Sequence, residues 1–125
     1  MKGIILLAHG SRDPQWTVPF ERMRDAVQLR RPGCAAVLAY LEHSTPDFAT
    51  AVDQLVARGT TVIEVVPLFL GPGGHVRNDV PQLLERAMAR HIEVRFVLKP
   101  FIGDVGAVLD AIADYAASDP QATRT

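Results

Sequence analysis

Three short, nearly uninterrupted apolar runs and a fourth, more mixed one, each followed by a stretch of helical spacing, constrain this chain more than any other feature. They cover Lys2–Ala8, Ala35–Leu41, Thr60–Pro67 and Glu93–Leu98. Runs of this length, rich in Val, Ile and Leu and bounded by Gly and Pro, are the signature of strands buried on both faces. Pro14–Arg31 carries Val18, Met23 and Val27 with Phe20 and Leu29 at helical spacing, and Pro32-Gly33 ends it. Thr45-Pro46-Asp47 offers a cap, a first-turn proline and an early acid to a helix that runs through Phe48, Val52, Leu55 and Val56 to a Gly59 stop. Asn78-Asp79 opens a third helix with Leu83, Leu84, Ala87 and Met88 on one face, and Asp104–Ala117 is the last. Strands alternating with helices predict an α/β fold: a single doubly wound, parallel four-stranded sheet, helices on both faces, flavodoxin-like layering and strand order 2-1-3-4. One domain is expected over residues 1–118, with a frayed polar tail over 119–125.

Bulk properties narrow the partners. The 125 residues suffice for one core and not for two domains. A formal net charge of −1 argues against nucleic acid and against an anionic membrane surface. The single Cys34 excludes an intramolecular disulfide and a thiolate metal cluster within one chain. The first apolar run is too short for a secretory or membrane segment, so a cytoplasmic location is expected.

In open α/β sheets the loops leaving the carboxyl ends of the strands line the ligand crevice. Two histidines fall on such loops. His9 follows the first strand in Ala8-His9-Gly10-Ser11-Arg12, and His75 follows the third in Gly71-Pro72-Gly73-Gly74-His75. Two imidazoles brought to one rim can hold a divalent metal that neither holds alone. The three glycines around His75 imply positive φ or a close approach to a ligand. Glu42, directly after the second strand, reaches the same rim as a third donor or proton acceptor. The Gly10-Ser11 turn exposes amides suited to an anion, and Arg12 and Arg77 suit a substrate bearing several carboxylates. Each residue also has a plainer role: His9 as a packed strand end, Ser11 as a cap, His75 on a flexible turn, Glu42 and the arginines as solvated charge. His43 is expected to point away by strand alternation, and His91 to complement a helix dipole outside the site.

Several chemistries are missing their residues. No Gly-x-Ser-x-Gly elbow surrounds Ser11, and no Walker loop or dinucleotide fingerprint occurs. A receiver-type phosphoacceptor aspartate would sit where the chain has Pro67.

Ala8-His9-Gly10-Ser11-Arg12, together with Pro67-Leu68-Phe69-Leu70, Gly73, His75 and Asp79-Val80-Pro81, resembles the small sirohydrochlorin chelatases. These are the short form of the class II tetrapyrrole chelatases. The resemblance covers roughly Lys2 to Ala117 and implies a chelatase-type domain. It implies insertion of a divalent metal, Co²⁺ ahead of Fe²⁺ or Ni²⁺, into sirohydrochlorin or a related carboxylate-rich tetrapyrrole of cobalamin or siroheme biosynthesis. By position it puts the metal-site histidines on His9 and His75 and the acidic partner on Glu42. The substrate would then meet Gly10, Ser11, Arg12, Gly73, Gly74 and Arg77. No cofactor beyond the substrate metal is implied. Larger relatives build their cleft from two halves, so a homodimer is expected. Two other readings stand beside this one: a non-catalytic metal or tetrapyrrole delivery module, and a flavodoxin-like anion-binding domain.

Overall fold

Every residue from Gly3 to Ala8 is buried, because β1 (Lys2–Ala8) runs through the interior of a parallel sheet. The computed structural model describes residues 1–71 and 73–120, without the side chains of Gly74 and His75. β1 lies between β2 (Cys34–Tyr40) and β3 (Val62–Pro67), and β4 (Arg95–Leu98) adds to the far side of β3, giving the order β2-β1-β3-β4. All three pairings are parallel, as the apolar runs predict.

Alternation along the central strand feeds two cores. Ile5 and Leu7 point to one face, where they meet Phe48, Ala51, Val52 and Leu55 of α2 (Phe48–Ala57) and Val76, Val80 and Ala87 of α3 (Gly74–Arg90). Ile4, Leu6 and Ala8 point to the other, where Phe20 and Val27 of α1 (Val18–Arg30) pack with Trp16. α4 (Gly106–Ala117), like α1, has no buried residue. Val105 at its cap forms with Val108, Leu109 and Ile112 an apolar stripe at helical spacing.

The helix starts depart from the sequence expectations, each for a local reason. The first helical stretch divides into a 3-10 turn, Pro14–Thr17, and α1. Pro19 has no N–H to reach the Gln15 carbonyl, which accepts from the Val18 N–H instead. Asp47, not Thr45, caps α2, its Oδ1 accepting from the Thr50 N–H at 2.8 Å. Pro46 therefore precedes the cap, and its carbonyl accepts from the Tyr40 N–H at 3.0 Å, tying the helix entry to β2. α3 begins at Gly74 rather than Asn78, with Gly73 at the cap and Pro81 inside, on an exposed position where the missing backbone donor is tolerated. β4 starts at Arg95 rather than Glu93, and a 3-10 turn, Ile102–Asp104, precedes α4. Helix α4 ends at Ala117, and residues 121–125 of the expected tail lie outside the described ones. No helix among the described residues is long and apolar enough to cross a membrane. Cys34 is a free, half-buried thiol.

Candidate active site at the carboxyl edge of the sheet

The β1–β2 register pairs Ala8 with Tyr40, and the ladder continues past both strands. The Leu41 N–H donates to the Ala8 carbonyl and the Glu42 N–H to the His9 carbonyl, each at 3.0 Å. His9 and Glu42 therefore leave the sheet side by side. Their side chains meet, with His9 Nε2 at 2.9 Å from Glu42 Oε1. Both remain about half exposed, at 54% and 52% of their side-chain surface, so the pair faces solvent and a ligand alike. With Glu42 accepting the Nε2–H, the Nδ1 lone pair is the ring's open donor, the arrangement by which a carboxylate orients a metal-binding imidazole.

Gly10 makes this approach possible. Its φ is +100°, and a Cβ there would collide with the Glu42 carbonyl. The amide of Ser11 is not open to an anion as expected. It donates to Ser44 Oγ at 3.1 Å, Ser44 Oγ donates back to the Ser11 carbonyl at 2.9 Å, and Ser11 Oγ accepts the Asp13 N–H. These bonds lock the two rim loops together and take up the amide that sequence reasoning offered to a substrate.

His43 departs from its expected direction. β2 ends at Tyr40, so strand alternation does not extend to it, and its φ of 65° turns it back toward the rim. Its Nε2 comes within 3.7 Å of Glu42 Oε1, while Arg12 Nε approaches its Nδ1 at 3.4 Å. Arg12 thus belongs to a row that runs through His43 to Glu42 and His9. The left-handed backbone decides this, a conformation that histidine tolerates better than most residues but that the sequence around it does not mark.

Facing the pair across a cleft of about 370 Å³ is α3, which contributes Val76, Asp79, Gln82, Leu83 and Arg86 to the wall opposite His9, Leu41 and Glu42. Position 75 stands four residues before Asp79, seven before Gln82 and eleven before Arg86, which places it on the same row of α3. The His75 side chain lies outside the described ones, and with it the expected meeting of two imidazoles. Among the described residues, no three imidazole, carboxylate or thiolate groups gather as a metal site. Gly71 and Gly73 have neither positive φ nor a protein atom within 4 Å of an added Cβ, so the loop's own packing does not require glycine at either position. Gly73 serves as the α3 cap and Gly74 as its first residue. Arg77 is exposed, is not among the residues lining the cleft, and by helical spacing stands on the opposite side of α3 from Asp79 and Arg86.

A second cavity of about 310 Å³ continues the groove, sharing Leu41, Leu83 and Arg86 with the first and adding Tyr40, Phe48 and Ala87 as apolar lining. Burial, with help from the Glu21 carboxylate, pushes the Tyr40 phenol up from its ordinary value, so it stays neutral. Sequence reasoning missed Arg86 and Gln82. They lie beside the core-facing Val80, Leu83 and Ala87 of α3 and so border the cleft, a placement that depends on how α3 packs on the sheet. His91 stands apart, as expected, at the end of α3, where its Nε2 meets Asp53 Oδ1 at 2.7 Å.

Residues 3–118 match the CbiX family model. A protein named sirohydrochlorin cobaltochelatase from Saccharolobus solfataricus is 33% identical over 102 residues, covering 75% of this chain and 78% of that one. Another of the same name from Priestia megaterium is 29% identical over 107 residues, 82% of this chain but only 33% of its own length. Among solved structures, a cobalamin (vitamin B12) biosynthesis CbiX protein from Marinobacter aquaeolei VT8 superposes with a TM-score of 0.81 at 37% identity, covering 93% of this chain and 94% of that one. Bacillus subtilis SirB with Fe3+ gives a TM-score of 0.78 at 26% identity, with 90% of this chain covering 45% of the longer one.

Proposed function

This chain belongs to the CbiX family, and on that premise we propose that it is a sirohydrochlorin chelatase, a lyase that inserts a divalent metal, Co²⁺ ahead of Fe²⁺ or Ni²⁺, into the macrocycle. The observation that carries this reading is the His9–Glu42 pair, open to solvent at the mouth of a cleft whose other wall holds position 75. His9, through Nδ1, and His75 take up the incoming ion through neutral imidazole nitrogens, while Glu42 holds the His9 ring by its Nε2–H. As the ion enters, two pyrrole N–H bonds break and their nitrogens bind the metal. The two protons leave to Glu42 and, through it, to solvent. The metal is substrate, and no further cofactor enters the scheme.

Two copies are proposed to share the work. A cleft of about 370 Å³, open to solvent, gives a flat four-ring macrocycle only part of the wall it needs. Longer relatives such as SirB supply as much chain again. The apolar stripe of α4, with Leu109 and Ile112 each nearly half exposed, offers a surface for the second copy. Sedimentation of the chain and of Ile112→Glu checks this: a dimer that the charge dissociates is expected, and a monomer in both contradicts it.

The catalytic reading is tested by following the absorbance of sirohydrochlorin with excess Co²⁺ over many turnovers, for the wild type and His75→Ala. Product beyond one equivalent from the wild type, with at least about a 100-fold lower rate in the variant, is expected. Stoichiometric uptake without turnover would favour a delivery module instead.

A further inference from the structure

We propose that Arg86 is the specificity-determining residue of this cleft, receiving a peripheral carboxylate of the tetrapyrrole and so fixing the macrocycle against His9. The inference rests on the chelatase reading and adds a residue to it. Arg86 is the single basic side chain common to the two cavities, and it stands where the metal end of the groove passes into the apolar chamber lined by Tyr40, Phe48 and Leu83.

Its charge is also uncommitted. Arg24, Arg31 and Arg90 hold carboxylates at 3.0, 3.1 and 2.8 Å, and Arg12 is engaged with His43. Arg86 has no ion-pair partner among the described residues, although Asp79 lines the same cleft and Asp47 the adjoining one. An exposed guanidinium over an apolar floor is suited to a ligand that is flat and apolar in the middle and anionic at its edge. The floor takes the ring and the fork takes a carboxylate in two parallel hydrogen bonds. Arg77, which the sequence offered for this task, lacks the placement.

The test compares the wild type with Arg86→Gln, Arg86→Lys and Arg22→Gln, the last removing an exposed charge from α1 on the other face of the sheet. Metal-free sirohydrochlorin is titrated by fluorescence, Co²⁺ insertion gives KM and kcat, and a fully esterified tetrapyrrole serves as the uncharged probe. Arg86→Gln is expected to raise Kd and KM about tenfold or more with kcat within about twofold, and Arg86→Lys to fall between. Arg22→Gln should match the wild type, and the ester should bind wild type and Arg86→Gln alike. Equal binding of sirohydrochlorin by wild type and Arg86→Gln, or an equal loss in Arg22→Gln, overturns the proposal. A wild type that binds through Arg86 but never turns over would sink the chelatase reading and leave the carboxylate contact standing. One that does not bind sirohydrochlorin at all would sink both.

Discussion

Among the described residues, the two shortest imidazole–carboxylate contacts are nearly equal in length and do different work. His9 meets Glu42 at 2.9 Å with its ring 54% exposed, at the carboxyl edge of the sheet and at the mouth of a cleft. His91 meets Asp53 at 2.7 Å with its ring only 16% exposed, where it joins the end of α3 to α2. Arg90 takes the other oxygen of Asp53 at 2.8 Å, so that carboxylate is fully engaged. The first pair has donors left to offer and room for something to reach them. The second uses its donors to clamp two helices. A close His–carboxylate contact therefore does not define a site. Position in the fold and unspent hydrogen-bonding capacity do.

Breaking each pair should separate activity from stability. The largest effect is expected for His9→Ala, with Co²⁺ insertion falling at least about 100-fold while the thermal midpoint barely moves, as suits a half-exposed ring. Glu42→Gln keeps the shape but removes the charge that orients His9, and a loss of about 10- to 100-fold in metal affinity or rate is expected from Co²⁺ titration and turnover. His91→Ala reverses the pattern. It should cost about 1–3 kcal/mol in denaturant unfolding and leave kcat unchanged where the protein is folded.

The smallest effect concerns a carboxylate outside both pairs. The backbone N–H of Thr50 holds the Asp47 carboxyl below its ordinary value of 3.8. A folded value lower than the unfolded one means that the cap's stabilisation is complete above the unfolded value and fades as pH falls through the folded one. Asp47→Ala should therefore cost about 1 kcal/mol at neutral pH, and less in acid below that range, whereas Asp47→Asn, itself a good cap, should cost little. Urea unfolding at two pH values checks both.

The sheet was legible from its apolar runs, clearest in β1, buried from Gly3 to Ala8, and faintest in β4, where no residue is buried. His9 and Glu42 were legible for the same reason, since each directly follows a run whose end the sequence marks. What the sequence obscured lies where backbone geometry, not residue type, decides. Asn78-Asp79 has the composition of a helix start, yet Gly73 caps α3, which puts Arg77 inside the helix on the side away from Asp79 and Arg86. His43 returns to the site through a positive φ that no neighbouring glycine announces. Ser11 keeps its amide for Ser44, a partner 33 residues away in the chain.

The contrast between the two pairs is tested most directly by measuring Co²⁺ insertion into sirohydrochlorin for His9→Ala and His91→Ala side by side, at a temperature where circular dichroism shows both folded. The account predicts a rate near background for His9→Ala and a wild-type rate for His91→Ala. Comparable rates in the two variants, or a loss confined to His91→Ala, would contradict it.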